Sequence, residues 1–250
     1  MANRYKTTGA GTKIEIAPQH ECLSRIPPEE PKFTVTTAAT ADAVTLAVTA
    51  TGTFTRDIIA PYWATAVDPL TGREIDFKIT GDIEAGATSL TIAKLVQDIP
   101  INSTITLPNV FPGRTSCNWQ PSNQSNETQT LDEGGWMTST PTTKGGSFQL
   151  EGYCWQTLPA WRIAEYAARH GELVWARITY PKPACPEFEG LDYGDVIEGF
   201  FVIDQGVPID APADSPMMSA ITLKLDGQPL RWLEPGKYTA GKLPALVLTP

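Results

Sequence analysis

The residues of this chain able to do chemistry are scattered carboxylates, seven tryptophans and four thiols. Glu151, Glu165, Glu187, Glu189, Asp192 and Asp195 could in principle supply the carboxylate pair of a glycoside hydrolase. That chemistry needs two carboxylates converging with several tryptophans in one cleft. Sequence spacing does not reveal convergence, and the run 187–195 is turn-rich, where acidic side chains are usually solvated. Trp63, Trp119 or Trp136 could instead act as stacking platforms of a sugar-binding module. Aromatics in loops, however, are more often packed beneath the loop than presented to a ligand. Cys22, Cys117, Cys154 and Cys185 form no CxxC pair, and His20 beside Cys22 offers two ligands where a structural zinc takes four. The expectation is a protein that is not an enzyme, with no catalytic, cofactor-binding or metal site.

Charge and patterning bound the class of partner. The formal charge is −9, with 19 basic residues against 28 acidic ones. A tight or sequence-specific nucleic-acid binder neutralises phosphates with Lys and Arg, which this balance opposes. The acidity is either a solubility charge spread over the surface or a lining past which DNA slides without sticking. No run approaches the roughly 20 apolar residues of a membrane helix, and Met1 to Ala10 lacks the apolar core of a signal peptide. The expectation is a soluble chain made in a cytoplasm, with reduced thiols and no membrane partner. The Asn-x-Ser/Thr triplets at Asn102, Asn123 and Asn126 would matter only in a secreted eukaryotic protein.

The elements that must position these residues are clearest in the last third. Thr157 can cap a helix over Leu158 to Gly171, with Pro159 in its first turn. Ala160, Ile163, Ala164 and Ala167 form an apolar stripe, opposite Arg162, Glu165, Tyr166 and Arg169. Gly171 is the left-handed stop. Strands follow over Leu173 to Tyr180, Tyr193 to Gln205 and Met217 to Leu225, each alternating at period two. Val196 to Ile203 is apolar on both faces, which fits a central strand or a subunit contact. Gly199 within it points to a bulge or a close backbone approach.

The first half has a different texture. Thr12 to Ile16 reads as a short strand, and Pro27-Pro28-Glu29-Glu30-Pro31 as a linker. From Phe33 to Phe111 the chain is rich in Thr, Ala, Val and Ile. Phe33, Thr36, Ala43, Leu46 and Val48 match Phe77, Thr80, Ala87, Leu90 and Ile92 at a constant offset of 44. This is either one duplication or a chance match between Thr/Ala-rich strands; two copies do not make a solenoid. Arg114 to Gly146 is polar and glycine-bearing, with no apolar anchor from Ser122 to Thr130, so it reads as a long loop. Such a loop is either an arm that orders on assembly or a plain surface excursion.

Twenty-two prolines and twenty glycines argue for many short strands joined by turns. The fold class expected is mainly β: an antiparallel β-sandwich or barrel with one flanking α-helix and an inserted small β module. The boundaries are 1–32 for the first strand and linker, 33–111 for the inserted module, and 112–250 for the main β domain. The main domain would share its core with residues 11–16 and carry the helix near 158–170.

Several of these segments together resemble the tail tube (major tail) proteins of long-tailed bacteriophages. They are the opening Gly11-Thr12-Lys13-Ile14-Glu15-Ile16, the strand Ser147 to Tyr153 leading to the helix, and the strand Leu173 to Pro181. The closing pair is Glu198 to Asp204 followed by Val207 to Asp214, with its Ala211-Pro212-Ala213-Asp214 turn, then Ser219 to Gly227. The likeness covers roughly 100 residues at the C-terminal side and the N-terminal strand. The segment 33–111 and the tail after Leu230 go beyond it. The resemblance implies a structural virion protein in a phage tail, assembling into stacked hexameric rings through which phage DNA passes. It also implies the tape-measure and other tail proteins as partners, and a long early loop that reaches neighbouring subunits. The alternative is a carbohydrate-binding or receptor-binding β module of a virion or secreted protein.

Overall fold

The chain leaves one sheet, builds a second, and returns to finish the first. A computed structural model describes residues 10–19, 27–52, 54–129, 137–182, 191, 193–204, 209–210, 214 and 216–232, excluding side chains at 123–129, 137–144 and 210. The strands are β1 (Lys13–Gln19), β2 (Lys32–Val35), β3 (Thr45–Thr51), β4 (Tyr62–Val67), β5 (Glu74–Ile79), β6 (Ser89–Thr91) and β7 (Thr104–Thr106). They continue as β8 (Asn109–Val110), β9 (Arg114–Gln129), β10 (Met137–Tyr153), β11 (Leu173–Thr179) and β12 (Val196–Asp204). The last are β13 (Ile209–Asp210), β14 (Met218–Leu225) and β15 (Arg231–Trp232), and the helix α1 spans Pro159–His170. One sheet has nine strands along the path β8-β1-β11-β12-β14-β10-β9, with β13 on β14 and β15 on β12. The other has six, in the order β5-β4-β7-β2-β3-β6. The fold is mainly β, with two antiparallel sheets and one helix.

The six-stranded sheet closes on itself. Ile79 bridges Ile92, and Thr80 N–H donates to Thr91 O at 2.9 Å, joining the outer strands β5 and β6. The result is a small barrel, which abolishes both free edges.

The offset of 44 is built into this barrel's backbone. Thr36 N–H donates to Ala47 O and Thr80 N–H to Thr91 O; Ala43 N–H donates to Thr40 O and Ala87 N–H to Glu84 O. At the seam, Leu46 stands opposite Leu90. Around it Val48 N–H donates to Thr88 O and Ile92 N–H to Val44 O, each bond the other's mate under exchange of the two halves. Phe33 pairs Ile105 while Phe77 pairs Ala64, which carries the symmetry on at an offset of 41. The barrel is therefore two interlocked copies of one three-stranded unit, related by an internal two-fold. Phe33, Leu46, Val48 and Phe77, Leu90, Ile92 fill its core.

The helix holds its expected place with a different start. Its N-cap is Leu158, which makes no side-chain cap bond, so the reading of Thr157 as the cap is corrected. Pro159 in the first turn has no N–H to satisfy, which lowers the need for a polar cap. Gly171 stops the helix at φ 69°, its N–H bonded to Ala167 O. Beside the expected stripe, Trp161 is also buried.

In the nine-stranded sheet, β12 is interior, flanked by β11 on one side and by β14 and β15 on the other. Val196 to Ile203 is thus a central strand, buried throughout except at Val202, which is exposed. Gly199 reflects close approach. A Cβ there would lie 3.0 Å from Leu225 Cδ1 and 3.5 Å from Pro229 Cα, where the chain bulges between β14 and β15.

Candidate assembly surface

The segment expected to be a loop, 114–146, is instead most of a long hairpin. Strand β9 pairs with β10 from Arg114↔Gly152 to Gln129↔Met137, with irregularities at Pro141/Thr143 and Glu151/Gly152. The correction has a physical reason. Ser, Thr, Asn and Gln carry no apolar alternation to announce a strand, yet the backbone pairing needs none. Among the described residues β9 pairs with nothing else, and β14 covers β10 only over Ser147–Tyr153. The outer part, from Ser122 and Gly145 to Gln129 and Met137, is a bare two-stranded ribbon, roughly 25 Å long at about 3.4 Å per residue. A two-stranded ribbon alone is marginally stable in water. Its outer strand presents a long open edge, the feature that templates pairing with another chain.

The base of the hairpin is anchored on one face. Trp119 packs on Phe148 (ring centroids 4.7 Å apart) and edge-on to Trp232 (4.9 Å), and Phe148 on Phe201 (6.0 Å). Gly146 makes room for this, since a Cβ there would sit 2.1 Å from the Trp119 ring. On the opposite face Gln120 Nε2 donates to Gln149 Oε1 at 2.8 Å, and Ser116 Oγ to Glu151 Oε2 at 3.3 Å. Arg114 donates to Ser219 Oγ at 3.0 Å and to Tyr153 O, which ties β9, β10 and β14 together at one end. Beside this end Tyr153 and Trp155 stack at 6.4 Å and stay exposed.

At the other side of the sheet lies a row of buried charges that sequence reasoning missed. Glu15, Arg177, Glu198 and Arg231 stand opposite one another across β1, β11, β12 and β15. All four are buried. Arg177 Nε donates to Glu15 Oε2 at 2.7 Å, and its Nη1 to Glu30 Oε1 at 2.5 Å. Burial would raise the Glu15 pKa, but Arg177 and Lys13 outweigh it and hold it below the usual carboxylate value. The Glu198 pKa goes the other way. Burial lifts it, and the charges of Arg231 and Arg177 with the Trp175 hydrogen bond offset this only in part. Arg231 Nε lies 3.4 Å from Glu198 Oε2 but is poorly aligned, so that oxygen has no hydrogen-bond partner. The signal for this row was Arg177 amid the apolar run of β11. Periodicity assigns a face but not what covers it.

The residues singled out for chemistry fall apart from one another. Glu151 lies on β10, and Glu165 sits on the helix between Arg162 (3.0 Å) and Arg169 (2.7 Å). Asp195 precedes β12, and its carbonyl accepts from Tyr180 N–H. Trp63 packs on Tyr166 (5.5 Å) with Lys78 Nζ 5.1 Å from its ring, and Trp119 packs as described, so both are engaged within the fold. Burial raises the Cys117 thiol to about 11, and it also raises the Cys154 pKa. His20, Cys22, Trp136, Cys185, Glu187, Glu189, Asp192 and the Ala211-Pro212-Ala213 turn lie outside the described residues. Among the described residues no group of three or more His, Cys, Asp or Glu is arranged to hold a metal, and no helix is long and apolar enough to cross a membrane.

No protein-family model and no curated protein matches this chain. Among solved structures it is similar to a chain in the tail of an empty GTA particle, obtained with helical refinement in C6 symmetry. The identity is 13% and the TM-score 0.38, over 48% of this chain and 81% of that one.

Proposed function

We propose that this chain is a structural protein of a bacteriophage tail, a tube subunit that pairs edge to edge with copies of itself. The observation that carries the reading is the open edge of β9 together with the bare outer ribbon of β9 and β10. In a monomer this is an aggregation hazard; in a ring it is the joint between neighbours. The opposite end of the sheet ends in β8, a strand of two residues whose Val110 is exposed. Two different edges meeting head to tail make a heterologous contact, which gives a ring where the rotation closes and a filament where it does not. Six subunits per ring, stacking into a tube, and partners such as the tape-measure protein follow from the family resemblance. So does the virion as location, with synthesis in the host cytoplasm. The role is mechanical and non-enzymatic. The net charge of −9 suits a conduit through which DNA passes without being held.

The test is negative-stain electron microscopy of the purified protein with light-scattering mass. Rings or tubes with a central hole are expected. A monomer of about 27 kDa that persists at high concentration and binds an oligosaccharide array would replace this reading with the sugar-binding one.

A further inference from the structure

The barrel and the nine-stranded sheet are joined by two chain crossings, one of which passes through Pro27 to Pro31. Two adjacent carboxylates grip opposite sides of it. Glu29 faces the barrel: its Oε2 accepts from Thr55 N–H at 2.5 Å and Arg56 N–H at 3.1 Å, and its Oε1 from Thr55 Oγ1 at 2.5 Å. The Arg56 guanidinium closes the loop by donating to Pro27 O. Glu30 faces the sheet, where it shares Arg177 with Glu15. The second crossing is held by neutral bonds, Leu107 N–H to Pro31 O at 3.2 Å and Asn109 Nδ2 to Trp63 O at 2.6 Å. The Tyr62 hydroxyl, whose neighbouring charge is Glu30, is buried with no hydrogen-bond partner. The docked arrangement therefore carries an uncompensated polar group at this joint.

We propose that Glu29 is an acid-labile staple that fixes the Thr55–Arg56 segment of the barrel on the linker, so that protonation loosens this segment while both sheets stay folded. The groups facing the staple are Arg56 and Thr55 from the barrel side, and Arg177, Glu15, Lys13, Glu198 and Tyr62 from the sheet side and β4. The sign follows from linkage. Burial would raise Glu29, but its bonds to Thr55 and Arg56 outweigh this and hold it below the usual value, as Arg177 does for Glu15. A carboxylate depressed in the docked state holds that state at neutral pH and loses its grip as pH falls through the depressed value.

The test uses the full chain and hydrogen exchange, corrected for intrinsic rates, at pH 7 and pH 4. The amides of Thr55 and Arg56 are expected to exchange at least tenfold faster at pH 4, while those of β4, β5 and β11 keep their protection. Glu29→Gln should show the fast exchange already at pH 7. Equal protection of Thr55 and Arg56 at both pH values would overturn the proposal. So would an acid effect spread evenly over β4, β5 and β11, which would mean global unfolding. Should Glu29→Gln not fold, Thr55→Val removes one bond to Glu29 and should give a smaller rise at pH 7.

Discussion

The barrel and the long hairpin treat their backbone edges in opposite ways. The barrel, 32–106, is built from two interlocked units and pairs its outer strands through Ile79 and Ile92. Among the described residues the hairpin leaves the outer edge of β9 unpaired along its whole length. A closed barrel can be stable and inert. An open edge of this length is a template for pairing with another chain. Under the proposed function, the difference separates a closed barrel from a hairpin at which copies would meet.

The largest effect separating the two regions should come from shortening the hairpin. Replacing 123–144 by a two-residue Asn-Gly turn is expected to abolish assembly while leaving the monomer folded. Light scattering would show no oligomer, and circular dichroism would keep the β signal. Loss of folding instead would mean that the hairpin stabilises the monomer. Within the barrel, Phe33→Ala and Phe77→Ala remove two-fold mates from the core and should each cost about 3–5 kcal/mol. Phe33 should be the costlier, being fully buried and edge-on to Phe54 at 5.8 Å, where Phe77 is 7% exposed. Urea titration of both variants checks the order. Gly146→Ala would push Trp119 off its seat and should cost about 1–3 kcal/mol by the same method.

The smallest effect tests the two-fold itself. Asp42 and Gly86 occupy equivalent turn positions at φ 76° and φ 81°, so the repeat geometry forces a left-handed residue at both. Asp42→Gly relieves that strain at the loss of an exposed pair with Lys94. A gain of about 0.5 kcal/mol is expected in thermal unfolding. A loss above about 1 kcal/mol would show that the Asp42 side chain stabilises the turn more than its backbone strains it.

Much of this was legible in the residues. Ala160, Ile163, Ala164 and Ala167 with Pro159 and Gly171 specify α1, and period-two alternation specifies β14, because these elements bury one regular face; β11 is buried on both faces. The repeat was legible because each half must present the same side chains to one shared core. The hairpin was not, since strands of Ser, Thr, Asn and Gln are held by backbone bonds that leave no apolar signature. The buried row from Glu15 to Arg231 was also hidden. Each residue looks like an ordinary polar position on its strand until strand order sets the four side by side.

The most direct test of edge pairing is hydrogen exchange along β9, from Arg114 to Gln120, in monomer and in assembled protein. Outward-facing amides of this stretch should exchange rapidly in the monomer and become strongly protected on assembly, while those of β3 and β6 in the barrel stay unchanged. Assemblies in which β9 exchanges as fast as in the monomer would contradict the account.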